Sequence, residues 1–147
     1  MERENVLYKI EGSLVFNTGA KGNSIVTEKL GIQPMWSWNK NDTYLVKRIN
    51  ETRCHPNGIW GYKTKPAFVD TADISTIIQH LRELLSDKVE IVNELVNEYQ
   101  FECNINITVY SEEEGLYGTS IDKDDLLFLS HFPRFDISFL QVENVEE

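Results

Sequence analysis

Between Trp36 and Lys65 the chain gathers its three tryptophans, Trp36, Trp38 and Trp60, together with Tyr44 and Tyr62 and the cations Lys40, Lys47, Arg48, Arg53, Lys63 and Lys65. Flat aromatic faces stack on bases or other planar ligands, and cations neutralise phosphate. The segment therefore has the makings of a small-ligand or single-stranded nucleic-acid site, carried by Trp36, Trp38, Lys40, Trp60, Tyr62 and Lys63. The same residues also build an ordinary hairpin, with aromatics buried on one side and Lys or Arg solvating the other, and this is the plainer expectation. A net charge of −10 speaks against nucleic acid.

Two acidic clusters are the other candidates. Glu112, Glu113 and Glu114 follow one another in a loop, and Asp122, Asp124 and Asp125 stand at a helix start. Carboxylates there could move protons, hold a cation or meet a basic partner, although capping and solvation also account for them. Cys54, His55, His80, Cys103 and His131 lack the close pairwise spacing of zinc ligands. Gly19 to Ser24 stands where a phosphate loop would, but Gly22 is followed by Asn23 rather than by Lys-Ser/Thr. No Gly-x-Ser-x-Gly, His-Glu-x-x-His or dinucleotide fingerprint occurs. No catalytic residue, metal or cofactor is expected.

These candidates need elements to hold them. Residues 6–16 alternate, with Tyr8, Ile10, Gly12, Leu14 and Phe16 on one side, and read as a strand. Asn23 or Ser24 caps a short helix that stops at Gly31. Thr43–Ile49 and Ile59–Lys63 read as two strands of one hairpin, with Cys54–Gly58 as its tip. Ile74, Ile77, Ile78, Leu81, Leu84 and Leu85 trace a helical face, and Asp87-x-x-Glu90 opens a run through Val92, Leu95, Val96 and Tyr99, so that the segment is either one kinked helix or two end to end. Glu102–Tyr110 alternates strictly as a strand with one wet face. A helix bearing Leu126 and Leu129 ends at Pro133, before a last strand with Phe135, Ile137 and Phe139 inward. The order β-α-β-β-α-(α)-β-α-β predicts an α+β fold: a largely antiparallel sheet with helices on one face, ferredoxin-like or a variant of it.

At 147 residues the chain is expected to form one domain, 1–147, with a proper core. Its charged start and alternating first strand lack the layout of a signal peptide, and no run of about 20 apolar residues is present, so a cytoplasmic protein with no membrane partner is expected. Two distant cysteines fit reduced thiols. Residues 1–66 carry ten Lys/Arg against six Asp/Glu, and residues 67–147 four against eighteen. Such asymmetry predicts a dipolar surface that steers charged partners.

Several stretches together carry a resemblance: Leu30-Gly31-Ile32-Gln33-Pro34, then Trp38 and Lys40, Gly58-Ile59-Trp60-Gly61-Tyr62, the Asp73–Leu85 helix, Asp125-Leu126-Leu127-Phe128-Leu129, and Phe135-Asp136-Ile137-Ser138-Phe139. In this order they resemble the family called domain of unknown function 4279, mostly small single-domain bacterial proteins, over nearly the whole chain. The resemblance implies no activity and no catalytic residues. Where the family has Lys-Gly-Asp after the tryptophan, this chain has Lys40-Asn41-Asp42. The expected function is a non-catalytic protein-binding module, an immunity protein neutralising a basic toxin through Glu112, Glu113, Glu114, Asp122, Asp124 and Asp125. The alternatives are a small-ligand or nucleic-acid binder using residues 36–65, and an enzyme whose distant residues leave no local motif. An exposed edge strand would permit a homodimer.

Overall fold

The structure, a computed structural model, describes residues 7–113 and 118–145. Glu114 of the acidic run lies outside the described residues.

Strand β1 (Tyr8–Gly19) is longer than its apolar alternation predicts, because Thr18 continues the buried side after Phe16. Helix α1 (Ser24–Leu30) ends as expected at Gly31, whose φ of 69° is the left-handed conformation glycine tolerates. Three short strands follow, β2 (Trp36–Trp38), β3 (Thr43–Val46) and β4 (Glu51–Cys54), and then β5 (Gly58–Lys63) and β6 (Ala67–Val69). Two helices in succession, α2 (Ser75–Leu85) and α3 (Val89–Asn97), lead to β7 (Glu102–Ser111), α4 (Lys123–Leu129) and β8 (Arg134–Gln141).

The main sheet runs in the order β2-β5-β1-β7-β8, with β6 continuing beside β1 where β5 leaves off. Every pairing is antiparallel except β7 with β8. The protein is thus α+β, with a mixed, mostly antiparallel sheet and four helices among the described residues. Since β5 is antiparallel to both β1 and β2, those two strands run parallel with β5 between them. By the same reasoning β5 and β7 run parallel around β1.

The expected hairpin of Thr43–Ile49 with Ile59–Lys63 does not form. Residues 47–50 turn the chain back instead, with Asn50 at a φ of 47°, and β3 pairs with β4 as a separate two-stranded arm. The partners of β5 are β1 on one side and β2 on the other. Nor do side chains cap as expected: Asn23 precedes α1 and Asp87 precedes α3, yet neither side chain bonds the first turn of its own helix.

The core lies between the sheet and the helices. Ile10, Leu14 and Phe16 of β1, Ile105, Ile107 and Val109 of β7, and Ile77, Ile78, Leu81 and Leu85 of α2 are all fully buried. Gly12 lets α2 lie directly on β1, since a Cβ there would stand 2.9 Å from Ile77 Cγ1. The opposite face of the sheet carries Lys9, Glu11, Ser13, Asn104, Asn106 and Thr108 and remains partly exposed.

Candidate functional site

Register divides the aromatic segment between the two faces of the sheet. Phe16 stands opposite Trp60 and Leu14 opposite Tyr62, so both β5 aromatics turn toward the helices. Trp60 is fully buried, meets Phe16 edge-on at 5.8 Å, and donates its indole N–H to Thr27 Oγ1 at 3.0 Å. Trp36 and Trp38 pair with Gly61 and Ile59 and turn to the open face. Lys63 lies on that face too, 3.2 Å from Glu11. Lys40 is exposed at the root of the arm. The six residues singled out by composition are therefore not one constellation.

What the fold does assemble at the β2 edge is a stack. Trp38 lies on His55 at 4.4 Å and 18°, and Tyr44 covers the other side of the imidazole at 4.3 Å and 31°. Backbone bonds fasten the arm there, from Asn41 N to His55 O and from His55 N to Asp42 O, both 2.9 Å. Asn41 has a φ of 71°, a left-handed conformation that asparagine adopts more readily than most residues with a side chain. Beyond the stack the arm is open: Leu45 is 54% exposed and Ile49 46%. Lys40, Lys47 and Arg48 have no carboxylate partner among the described residues.

Asn23 holds this corner together, and sequence reasoning saw it only as a cap. Its buried Nδ2 shares its two hydrogens among three acceptors, Ser37 Oγ at 2.8 Å and Trp38 O and Ile59 O at 2.7 Å, while Thr18 donates to its Oδ1. Its backbone N–H donates to Asn39 Oδ1 at 3.0 Å. One residue thus ties the end of β1 to β2, β5 and the arm's root. The available signal was a polar residue beside a glycine in a loop, which fits many other roles.

Across the open face Glu11 accepts from Lys9 and Lys63, both 3.2 Å away, and from Tyr110 OH at 3.3 Å. Burial pushes the Glu11 carboxyl up, but the two lysines pull it down further, leaving it below the usual carboxylate range. Burial and the nearby Glu11 raise the Tyr110 phenol. Burial pushes the Cys103 thiol up to about 12, so it stays protonated, whereas Cys54 is exposed.

The acidic candidates also separate. Glu112 accepts from Val145 N at 2.8 Å, and Glu113 accepts from Tyr8 OH at 3.0 Å. Asp125 is tied to Arg82 at 2.8 Å, and that guanidinium lies over the Phe128 ring. Asp122 and Asp124 are exposed beside Leu126 and Leu127, 45% and 53% exposed, while Phe128 and Leu129 of the same helix are buried. A groove of about 380 Å³ runs alongside, lined by Arg82, Ser86, Val89, Asp124, Leu127, Phe128 and His131. Among the described residues no helix is long and apolar enough to cross a membrane, and no group of His, Cys, Asp and Glu is arranged to hold a metal.

A family model described as domain of unknown function (DUF4279) matches residues 15–140. No curated protein and no solved structure matches the chain.

Proposed function

Because the chain belongs to the DUF4279 family, whose description assigns no activity, we propose from its own surface that it is a non-catalytic, cytoplasmic, single-domain protein-binding module. The observation that carries this reading is the outer side of α4, where Leu126 and Leu127 stand exposed between Asp122 and Asp124. Exposed leucines give a partner apolar area to bury, and flanking carboxylates select a basic one and speed its approach. This is the chemistry by which an immunity protein would neutralise a basic toxin. With Glu112, Glu113 and Asp125 occupied within the chain, the contact is assigned to Asp122 and Asp124.

The test is a pull-down from host lysate at low and then moderate salt, with mass spectrometry of what elutes. A single basic protein should be retained, released by salt, and lost with Leu127→Asp or with Asp122→Lys/Asp124→Lys. Equal capture by these variants would refute the assignment.

A second reading rests on the Trp38–His55–Tyr44 stack and on Lys40, Lys47 and Arg48, which have no carboxylate partner among the described residues; these would suit a planar anionic ligand. Titration with nucleotides or short oligonucleotides would then quench tryptophan fluorescence, less so in Trp38→Ala. We also propose that the fold is the ferredoxin-like one with additions; the parallel pairs β1/β2 and β5/β7, each split by one antiparallel strand, support this reading. On it, β3–β4 and α4–β8 are the additions.

A further inference from the structure

Away from both surfaces, the chain breaks between β5 and β6 at Thr64-Lys65-Pro66. Thr64 remains on β1, its N–H donating to Gly12 O at 2.9 Å, but Pro66 has no N–H to offer the ladder. Lys65 O is instead turned to His80 Nδ1 of α2, 2.8 Å away. A carbonyl oxygen only accepts, so Nδ1 carries a hydrogen, and in the neutral tautomer this fixes, the lone pair is left on Nε2. The gap so opened between strand and helix is a cleft of about 430 Å³, lined by Tyr62, Thr64, Lys65, His80, Glu83 and Leu84. That volume is within the roughly 300–1,000 Å³ of small-molecule sites.

We propose that this cleft binds a small zwitterion, of which a free α-amino acid is the simplest. The Lys65 ammonium and the Glu83 carboxylate both line it, and neither has an ion-pair partner among the described residues. A ligand with one charge would engage one of these exposed groups and leave the other in water, forgoing a second charge-assisted hydrogen bond. A ligand with both charges satisfies both. Its ammonium meets Glu83 and the Nε2 lone pair of His80, its carboxylate meets Lys65 and the Tyr62 hydroxyl, and its side chain lies against Leu84, which packs on the core. The strand break places Lys65 of the strand side beside His80 and Glu83 of α2 on one opening.

Calorimetric titration of the full chain with each of the twenty free amino acids tests the proposal. The tightest binder is then compared with the corresponding amine, which lacks the carboxylate, and the corresponding acid, which lacks the ammonium. At least one amino acid should bind, and each analogue should bind about tenfold more weakly or worse, the worth of one charged hydrogen bond. Glu83→Gln and Lys65→Met, at exposed positions where folding is easily verified by circular dichroism, should each weaken binding by about the same factor. No titration by any amino acid up to about 10 mM, an analogue that binds as well as its parent, or indifference to both substitutions would overturn it.

Discussion

Gly61 is needed for space rather than for its backbone angles, and Gly61→Ala tests this. The glycine does not adopt a positive φ, yet a Cβ built on it would fall inside the indole of Trp36, against Cε2, Cζ2 and Nε1. The indole is a rigid plate on a three-residue edge strand, so it must lift off the sheet or β2 must shift. Overpacking of this kind costs about 1–3 kcal/mol. In a Trp36→Ala background the obstacle is gone, and alanine should exceed glycine within a strand by roughly 0.5–1 kcal/mol. The substitution should therefore change sign, giving a coupling of about 1.5–4 kcal/mol between the two positions. Urea unfolding of the four proteins, followed by circular dichroism, measures it. With a slope of about 2 kcal/mol per M, Gly61→Ala alone should lower the midpoint by roughly 0.5–1.5 M. Additive effects of the two substitutions would mean that the indole does not rest on Gly61, and the placement of Trp36 on the open face would fall with it.

Asn23→Asp replaces a donor by an acceptor that faces Trp38 O and Ile59 O, and should destabilise by about 3 kcal/mol or more in urea unfolding; a loss under about 1 kcal/mol would show that the amide is not the tie described. Glu11→Gln should lower stability at pH 7, because a carboxylate held below its usual range contributes stability that is fully present above the unfolded value, about 4.3. That deficit should close as pH falls through the depressed folded value, and a gap equally wide at pH 7 and at pH 2 would refute the ion cluster. Cys54 should react with a thiol reagent in the native protein and Cys103 only after unfolding; fast labelling of both would contradict the buried, protonated thiol. At the left-handed position 41, Asn41→Ala should cost about 1 kcal/mol and Asn41→Gly nothing, as read from unfolding midpoints.

How far the sequence could be read depended on how many neighbours each segment has. The residues of β1 and β7 alternate over ten or more positions and sit between other strands, so the buried side of each follows from pattern alone. The α2 face and the Gly31 stop were equally legible. Thr43–Ile49 was misassigned because β-branched and aromatic residues show that a segment is extended, not with which strand it pairs. The deciding residue was Asn50, whose left-handed backbone closes a turn that neither glycine nor proline marks. Ala67–Val69 is too short, between Pro66 and Asp70, to show any period.

The sites were less legible because composition gathers residues along the chain and the sheet then separates them. Trp36 and Trp60 belong to neighbouring paired strands, but Trp60 pairs with Ser37, so the two indoles leave on opposite faces. One becomes core and the other surface. The acidic residues show the same separation by a different route. Neighbours in sequence, Asp124 and Asp125, differ because a helix turns about 100° per residue, which brings one to Arg82 and leaves its neighbour exposed beside Leu127. Charge counted over half a chain could suggest that a charged partner is met, but only register and helical phase determine which carboxylates remain free to meet it. The arm carries four Lys/Arg against two Asp/Glu over residues 39–55, on a chain whose net charge is −10. Opposite charges are thus held on separate elements of one chain, so α4 and the arm cannot serve the same partner by the same electrostatics. Charge reversal on α4 should therefore alter binding of a basic protein and leave an anionic ligand at the arm unaffected.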